Sequence, residues 1–271
     1  MGGSVILDRE GAVAVLTITQ PKIKNALDLG MASQLQELCR EIDEDLSIGS
    51  VVIKGADGTF CSGADTSVWT TAFANPTDDR AYDEIDQMYA AFVRVGQLRA
   101  PTIAAIRGAA VGAGLNLALA TDLRIVAHDA RLMAGFLKAG VHPGGGFFSI
   151  AARVAGREAA AALGLFSQEI SGDRAVELGL AWLAVPDAEV EERALELGAV
   201  VGSDPLLARR AAHSFRLETE SLSIPWPAAI ELERGVQLWT FGRLGARDSR
   251  VRVGGPMKST SSEKAASGPD V

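Results

Sequence analysis

Short runs of apolar residues alternate along this chain with segments whose apolar side chains recur at helical spacing. Five apolar runs predict strands, because they are short and several are bounded by glycine or proline. These runs cover residues 12–19, 50–54, 102–106, 123–127 and 181–185. Helical patterns lie between them, at residues 29–46, 82–98, 112–121, 145–154, 158–165 and 172–178. Strands that alternate with helices predict an α/β fold.

The pattern changes towards the C-terminus. Beyond residue 202 it is helical only, at residues 205–218 and 226–239, and residues 251–271 show no periodicity. We therefore expect an α/β core over residues 1–202, a helical region over residues 203–250 and a disordered tail over residues 251–271. Residues 66–86 are also irregular and acidic, and we expect a mobile connection there that leads into the helix at residues 82–98.

Composition and charge exclude several classes of protein. Apolar residues make up 48% of the chain, too many for a disordered protein, and the net charge of −8 argues against nucleic acid as the main partner. The charge-free stretches are too short and too rich in glycine to predict a membrane span. Cys39 and Cys61 fit no disulfide framework, and the scattered histidines predict no metal site. Without a signal pattern in residues 1–11, we expect a reduced, cytoplasmic protein.

Three glycine-rich segments carry the candidate chemistry. They cover residues 55–65, 107–116 and 142–146, and the second and third open predicted helices. Glycine allows left-handed backbone, and a helix start leaves N–H groups unused. Two such turns side by side could place two backbone N–H donors on one carbonyl oxygen, as in an oxyanion hole. Each segment taken alone is better explained as an ordinary tight turn. The second segment has the spacing GxxxGxG, which is not a dinucleotide-binding fingerprint.

The order and spacing of four motifs are more specific than any single one. The motifs are PxxxNAL at residues 21–27, FCSGAD at 60–65, GxxxGAGLNLA at 108–118 and DLRIVA at 122–127. In this combination the chain resembles the crotonase superfamily, also called the enoyl-CoA hydratase/isomerase family, over about residues 11–185 and more weakly to about residue 240. The resemblance implies a spiral of ββα units with a C-terminal helical trimerisation region, and a homotrimer or hexamer as the assembly.

The resemblance also implies that the chain binds acyl-CoA thioesters, with coenzyme A as part of the ligand and no permanently bound cofactor. Family members stabilise an enolate-like thioester oxygen with two backbone N–H groups, which correspond here to Ala64 and Ala113. The contacts to the adenine side of coenzyme A correspond to Lys24, Asn25 and Ala26, with Ala64 and Asp65 close by. A lysine at position 24 suits a phosphate group, although a solvated loop lysine explains it equally well.

The family pattern breaks at its acid–base residues. Typical hydratases use two glutamates to orient water and relay a proton, and these positions correspond here to Asn116 and Phe136. Asparagine can hydrogen-bond water but cannot accept its proton, and phenylalanine can do neither. Simple isomerases rely on a carboxylate at the second position, and dienoyl isomerases on an aspartate whose place is taken by Gly144. The sequence therefore supports none of these standard mechanisms.

Three groups are candidate substitutes for the missing carboxylates. His142 lies in the third glycine-rich segment and carries a side chain suited to acid–base work, with a structural role in the turn as the alternative. A carboxylate from residues 78–86 could reach the site, although these acidic residues also fit a solvated helix start. Asp65 is a weaker candidate, because its counterpart in the family supports the turn. Cys61 has no neighbouring base and is expected to be a packing residue.

Two further features concern the ligand. Leu132, Phe136, Phe147 and Phe148 could line an apolar acyl pocket or could be ordinary core residues. Family members often end in a helix whose basic residues close over the coenzyme A of a neighbouring subunit. Here residues 242–250 are expected to interrupt that helix, and they contain three candidate phosphate contacts that no spacing requires, Arg243, Arg247 and Arg250.

Two functions remain as hypotheses. The first is an enzyme of hydratase or isomerase type that acts on acyl-CoA thioesters through an unusual proton-transfer group. The second is a non-catalytic protein on the same scaffold that binds acyl-CoA. The missing carboxylates favour the second hypothesis, whereas the glycine turns favour thioester binding in either case.

Overall fold

The computed structural model describes residues 2–219 and 225–247, which form an α/β core followed by long helices. The strands are β1 (Ser4–Glu10), β2 (Val13–Thr19), β3 (Ser50–Gly55), β4 (Thr102–Ile106), β5 (Ala109–Val111), β6 (Leu123–Ala127), β7 (Arg131–Met133), β8 (Glu169–Ile170) and β9 (Leu183–Val185). The main sheet has the strand order β1-β2-β3-β4-β6-β9. Its strands are parallel except β1, which lies antiparallel at the edge beside β2.

The five predicted strands are confirmed as β2, β3, β4, β6 and β9, the parallel part of this sheet. Parallel strands are covered on both faces, so they read as continuous apolar runs, as in the fully buried Val51, Val52 and Ile53. The sequence analysis missed β1, whose C-terminal half is charged and exposed. An edge strand with one solvated side is harder to recognise from its sequence.

A second, smaller sheet was also missed. It pairs β5 with β7 in parallel and β7 with β8 antiparallel. Its strands have only two or three residues each, so no period is visible in the sequence. Their pairing depends on contacts between distant segments, and it places β7 beside the second glycine-rich segment.

The helices are α1 (Leu29–Glu44), α2 (Thr70–Ala74), α3 (Asp79–Gly96), α4 (Ala113–Ala120), α5 (Phe147–Gly164), α6 (Gly172–Glu177), α7 (Val190–Gly202), α8 (Pro205–Thr219) and α9 (Trp226–Arg247). Helix α2 lies within the connection that was expected to be irregular. The two helical patterns predicted at residues 145–154 and 158–165 belong to one helix, α5, with a kink at Gly156, where φ is 81°.

Helix α9 corrects the expectation that the C-terminal helix is interrupted. It continues through Gly242 to its end at Arg247, and a Cβ on Gly242 would lie 3.0 Å from Pro76, so this glycine serves close packing. The helix packs on its own chain against α2 and α5. Three predicted features lie outside the described part of the chain. Two are the phosphate contact at Arg250 and the tail at residues 251–271. The third is the pair of phosphate contacts at Arg243 and Arg247, whose side chains are not described.

Two classes of site find no support in the described residues. No helix within residues 2–219 or 225–247 is long and apolar enough to cross a membrane. Over the same ranges, no three His, Cys, Asp or Glu side chains come together in an arrangement that could hold a metal ion. Cys39 and Cys61 are both buried with free thiols.

Candidate active site

The first two glycine-rich segments run side by side. Cys61 pairs with Ala110 in a parallel bridge. The Cys61 N–H donates to the Ala109 carbonyl, and the Cys61 carbonyl accepts from the Val111 N–H, both at 3.0 Å. Backbone hydrogen bonds therefore fix the two turns relative to each other.

Two glycines let these segments touch. A Cβ on Gly63 would lie 3.3 Å from the Val111 carbonyl oxygen, and one on Gly114 would lie 2.8 Å from Cys61 Cβ. Gly63 also has φ 121°, a conformation that other residues rarely adopt. Each glycine adjoins one of the two predicted oxyanion residues, so the contact brings both of those residues together.

The N–H groups of both predicted donors lie outside the surrounding hydrogen-bond pattern. Leu27 bonds the residues on either side of Ala64: its N–H donates to Gly63 at 2.8 Å, and its carbonyl accepts from Asp65 at 2.7 Å. In such a parallel bridge the N–H of the middle residue points away from its partner. Ala113 is the first residue of α4, where an N–H has no acceptor within the helix. Neither the bridge nor the helix uses these two donors.

Asn25 stabilises the loop beside this contact. Its side chain is buried, and its Oδ1 accepts from the Gln20 N–H at 2.8 Å. Its Nδ2 donates to the carbonyls of Ala56 and Thr59 at 2.8 and 2.6 Å. These bonds also support a left-handed backbone with φ 58°. The Asn25 amide is therefore committed to the protein and is not free to bond a ligand.

Lys24 and Ala26 flank Asn25 in the predicted coenzyme A loop. The Lys24 carbonyl accepts from the Ser62 N–H at 3.0 Å, which joins this loop to the first glycine-rich segment. Lys24 itself is exposed, whereas Ala26 is buried. Of the predicted contacts, Lys24 thus has the side chain best placed to meet a phosphate group from solvent.

Asp65 and Cys61 have structural contacts. Asp65 accepts from the Ser67 N–H at 2.7 Å and caps the short helix at residues 66–69. The Cys61 thiol lies 3.5 Å from the Gly63 carbonyl oxygen, and burial raises the pKa of this thiol to about 12. A neutral, enclosed thiol supports the prediction that Cys61 is a packing residue.

Asn116 lies in the first turn of α4 and is buried beside the third glycine-rich segment. Its Nδ2 donates to the Gly144 carbonyl at 2.8 Å. Because a carbonyl only accepts, the nitrogen end of the amide faces the turn. Its Oδ1 is buried without a partner among the described residues. A Cβ on Gly145 would lie 2.5 Å from Nδ2, so the approach requires glycine. The residue at which the resemblance predicts the first glutamate is thus a neutral amide bound to a backbone carbonyl.

Gly144 has no room for the aspartate of a dienoyl isomerase. A Cβ at this position would collide with the Tyr89 hydroxyl and with the Gln237 side chain. Tyr89 donates to Gln237 Oε1 directly beside it. Packing therefore explains why this position is a glycine.

Strand β7 brings the segment of Phe136, where the resemblance predicts the second glutamate, to the start of α4. The Gly112 N–H donates to the Met133 carbonyl at 3.0 Å. A Cβ on Gly112 would lie 3.6 Å from the Ala134 carbonyl oxygen, and Phe136 follows two residues later. Phe136 thus lies on the segment that borders the second oxyanion turn.

An aromatic cluster fills this second position. The ring of Phe136 packs on that of Phe147 with centroids 5.7 Å apart, and Phe147 packs on Phe148 at 5.8 Å. Phe147 is fully buried, as is Leu132 in β7, whereas Phe136 and Phe148 are half-buried. The structure brings the three predicted phenylalanines together, and none of their side chains can transfer a proton.

His142 is held by α9 and by its own neighbour. Its Nδ1 lies 2.7 Å from the Pro143 carbonyl oxygen, so the neutral ring carries its proton on Nδ1 and a lone pair on Nε2. Gln237 donates to the His142 carbonyl at 3.0 Å, and the His142 N–H donates to Thr240 at 3.3 Å. The ring lies edge-on to Phe148, with centroids 6.2 Å apart. This tautomer leaves Nε2 as the basic nitrogen.

The acidic residues of α3 are used elsewhere. Asp78 caps the helix by accepting from the Arg80 N–H at 2.9 Å, and Glu84 pairs with the Arg80 guanidinium at 2.8 Å. Asp86 pairs with Arg234 at 2.8 Å. The remaining members are exposed: Asp79 and Asp83. These contacts support the interpretation of this cluster as a solvated helix start.

The sequence analysis missed one buried carboxylate, that of Glu233 on α9. Glu233 is 6% exposed and accepts from the N–H groups of Gly146, Phe147 and Phe148 at 2.9, 3.2 and 3.3 Å. Burial raises the pKa of its carboxyl to about 7, although the three N–H bonds oppose the rise. No local pattern marks this contact, because it joins residues at least 85 positions apart.

Comparison with known proteins agrees with the resemblance. A family model described as enoyl-CoA hydratase/isomerase matches residues 8–245. The chain is 36% identical over 230 residues to a probable enoyl-CoA hydratase of Mycobacterium tuberculosis, which covers 85% of this chain and 86% of that protein. This chain is also 31% identical over 250 residues to the 1,2-epoxyphenylacetyl-CoA isomerase of Escherichia coli. The match covers 90% of this chain and 91% of that protein.

Solved structures confirm the fold. An enoyl-CoA hydratase from Bacillus anthracis superposes with a TM-score of 0.75 at 26% identity, covering 88% of this chain and 90% of that one. An enoyl-CoA hydratase from Mycobacterium avium subsp. paratuberculosis gives 0.77 at 23% identity, with coverage of 90% and 97%, which shows the fold alone. The mixed α/β architecture is thus that of the crotonase fold. The chain belongs to the enoyl-CoA hydratase/isomerase family, whose members process acyl-CoA thioesters.

Proposed function

We propose that the chain holds the thioester oxygen of an acyl-CoA between the backbone N–H groups of Ala64 and Ala113, where the charge of an enolate is stabilised. The observation that carries this proposal is the close pairing of the two glycine-rich segments, each with an N–H that neither the bridge to Leu27 nor helix α4 uses. Two fixed donors on one oxygen stabilise negative charge that develops there. The names of both relatives describe proteins that act on CoA thioesters, which supports the same class of ligand.

Coenzyme A enters this proposal over the loop of residues 24–26. Lys24 supplies an exposed ammonium group for a phosphate, and Asn25 and Ala26 contribute backbone. Ala64 and Asp65 form the border with the acyl end. Because Asp65 is committed to its helix cap, it contributes shape and not catalysis.

The proposed chemistry is isomerisation through an enolate, which needs a single proton-transfer group, whereas standard hydration needs two carboxylates that Asn116 and Phe136 do not supply. His142 is the proposed base, since its tautomer leaves a lone pair on Nε2. It takes a proton from the carbon next to the thioester carbonyl, and the electron pair moves onto the oxygen held by the two N–H groups. In a 3-enoyl thioester this enolate is conjugated with the double bond, so the histidine returns the proton to the γ-carbon. The double bond then moves from Cβ–Cγ to Cα–Cβ, and the neutral histidine is regenerated.

The second candidate is a non-catalytic acyl-CoA-binding protein. Two observations favour it: the bond from Asn116 to Gly144, and the packing of Phe136 on Phe147. Both place groups without proton-transfer ability where the family has glutamates. The two candidates share the ligand and differ in turnover.

One experiment separates them. The purified protein is titrated with hexanoyl-CoA, and exchange of the acyl α-hydrogens with deuterated water is followed by NMR. We expect binding on the order of micromolar and exchange above the blank rate that is lost in His142→Ala. Micromolar binding without exchange, and without loss of crotonyl-CoA absorbance, supports the non-catalytic alternative. Absence of hexanoyl-CoA binding refutes both candidates.

We also propose a homotrimer or hexamer as the assembly. The support is a set of large apolar side chains exposed on the C-terminal helices α7 and α8: Val200, Leu206, Leu207, Phe215 and Leu217. Exposed apolar groups in such number are typical of an interaction surface. Light scattering coupled to gel filtration measures the mass directly, and a monomer at micromolar concentration would refute the proposal.

A further inference from the structure

The third glycine-rich turn is fastened to α9 of the same chain. Trp226 donates from Nε1 to the Gly145 carbonyl at 2.8 Å, and Gln237 donates to the His142 carbonyl at 3.0 Å. Between these two lies Glu233, whose carboxylate accepts from three successive N–H groups. Side chains from α9 thus bond polar backbone groups at both ends of the turn.

Glu233 replaces the local cap that α5 lacks. The residue before α5 is Gly146, which has φ 73° and no side chain to bond the first N–H groups of the helix. A carboxylate at a helix N-terminus is favourable, because it meets unused N–H groups and the positive end of the helix dipole. The cap therefore comes from a residue 87 positions away in the sequence.

The turn connects Glu233 to the proposed acyl site in two directions. On one side, Gly144 accepts from Asn116 at 2.8 Å. On the other side, Phe147 packs on Phe136 with ring centroids 5.7 Å apart. Displacement of the turn would therefore move Gly144, the partner of Asn116, and Phe147, the partner of Phe136.

We propose that Glu233 is a positioning residue of the acyl site, which fixes residues 144–148 and through them the placement of Asn116 and Phe136. We assign it a positioning role, since its carboxylate accepts from the Gly146 N–H and from the first two N–H groups of α5. The effect on ligand affinity rests on the proposed acyl-CoA function. The effect on the turn itself does not.

The test compares Glu233→Ala and Glu233→Gln with a control, Glu231→Gln, which changes an exposed carboxylate on the same helix. Calorimetric titrations use hexanoyl-CoA and free coenzyme A as separate probes. We expect Glu233→Ala to weaken hexanoyl-CoA binding about tenfold or more while free coenzyme A binds as before. Glu233→Gln keeps an acceptor oxygen and should restore affinity to within about threefold. The control should match the wild type.

A merely structural role would lower both affinities together, and unchanged hexanoyl-CoA affinity in Glu233→Ala would likewise overturn the proposal. A second measurement needs no ligand: amide hydrogen exchange in peptides covering residues 144–150. We expect exchange there to rise about tenfold or more in Glu233→Ala and to stay at the wild-type rate in the control. If the wild type binds no hexanoyl-CoA, the proposed function fails, and the exchange result still decides whether Glu233 holds the turn.

Discussion

Gly114 lies so close to Cys61 that a Cβ added to Gly114 would be 2.8 Å from Cys61 Cβ and nearer still to the Cys61 carbonyl oxygen. This contact joins the two segments that carry the proposed oxyanion donors. The relative placement of Ala64 and Ala113 therefore depends on the absence of a side chain between them.

Replacement of Gly114 by alanine should force the two segments apart. We expect Gly114→Ala to lower the free energy of unfolding by about 1–3 kcal/mol, since overpacking displaces backbone here and not a flexible side chain. Urea denaturation measures this. Gly235→Ala on α9 is the matched control, because no atom of the described residues lies within 4 Å of its added Cβ, and it should stabilise the protein by up to about 1 kcal/mol. Equal stabilities of the two variants would contradict the packing argument.

Asn25 should matter for stability more than for ligand contact. Asn25→Ala removes three hydrogen bonds and leaves the N–H of Gln20 and two carbonyls without their partner, so the free energy of unfolding should fall by about 3 kcal/mol. The neighbouring exposed Lys24 is the control, and Lys24→Ala should change stability by less than about 0.5 kcal/mol. A stable Asn25→Ala protein that binds coenzyme A weakly would show that Asn25 is a ligand contact instead.

The second proposed oxyanion donor can be removed at small cost to the helix. Ala113 is the first residue of α4, the helical position where proline is best tolerated, so Ala113→Pro deletes the N–H without removing a helical bond. We expect any enolate-dependent exchange rate to fall about 10²–10³-fold. Ala113→Gly keeps the N–H and should retain most of the rate. If both variants behave alike, the Ala113 N–H is not the donor.

Glu233 should make stability depend on pH. Its carboxyl pKa is raised from 4.5 to about 7 by burial, so the folded state binds a proton that the unfolded state releases over this range. The stabilisation that this carboxyl contributes is therefore fully present below about pH 4.5 and is lost as the pH rises through about 7. The free energy of unfolding falls by about 3 kcal/mol at most over this range. Tyr89 nearby stays neutral, because burial raises its pKa as well.

Glu233→Gln removes this titration, so its stability relative to the wild type should rise between pH 5 and about pH 8. Urea denaturation of both proteins across that range measures the difference. A constant difference would mean that the carboxyl has an ordinary pKa in the folded protein.

The sequence by itself determined the parallel core and the family. Strands such as β3 and β4 are buried on both faces, so their apolar character is continuous and local, and the helices beside them have a clear period. The motifs around Ala64 and Ala113 were equally visible, because glycine turns at these two places are fixed by backbone geometry that few other residues allow. The replacement of two expected glutamates by Asn116 and Phe136 stays a prediction that the family resemblance makes.

Only the tertiary structure decided what surrounds those positions. The amide of Asn25 is committed to the protein, Asn116 is bonded to Gly144, and Phe136 packs on Phe147. Helix α9 runs through Gly242 and carries Glu233 to the start of α5. These contacts join residues far apart in sequence and depend on packing and burial, which create no local period or motif. A carboxylate on a helix looks the same in sequence whether it faces water or caps another helix, and only the fold distinguishes the two.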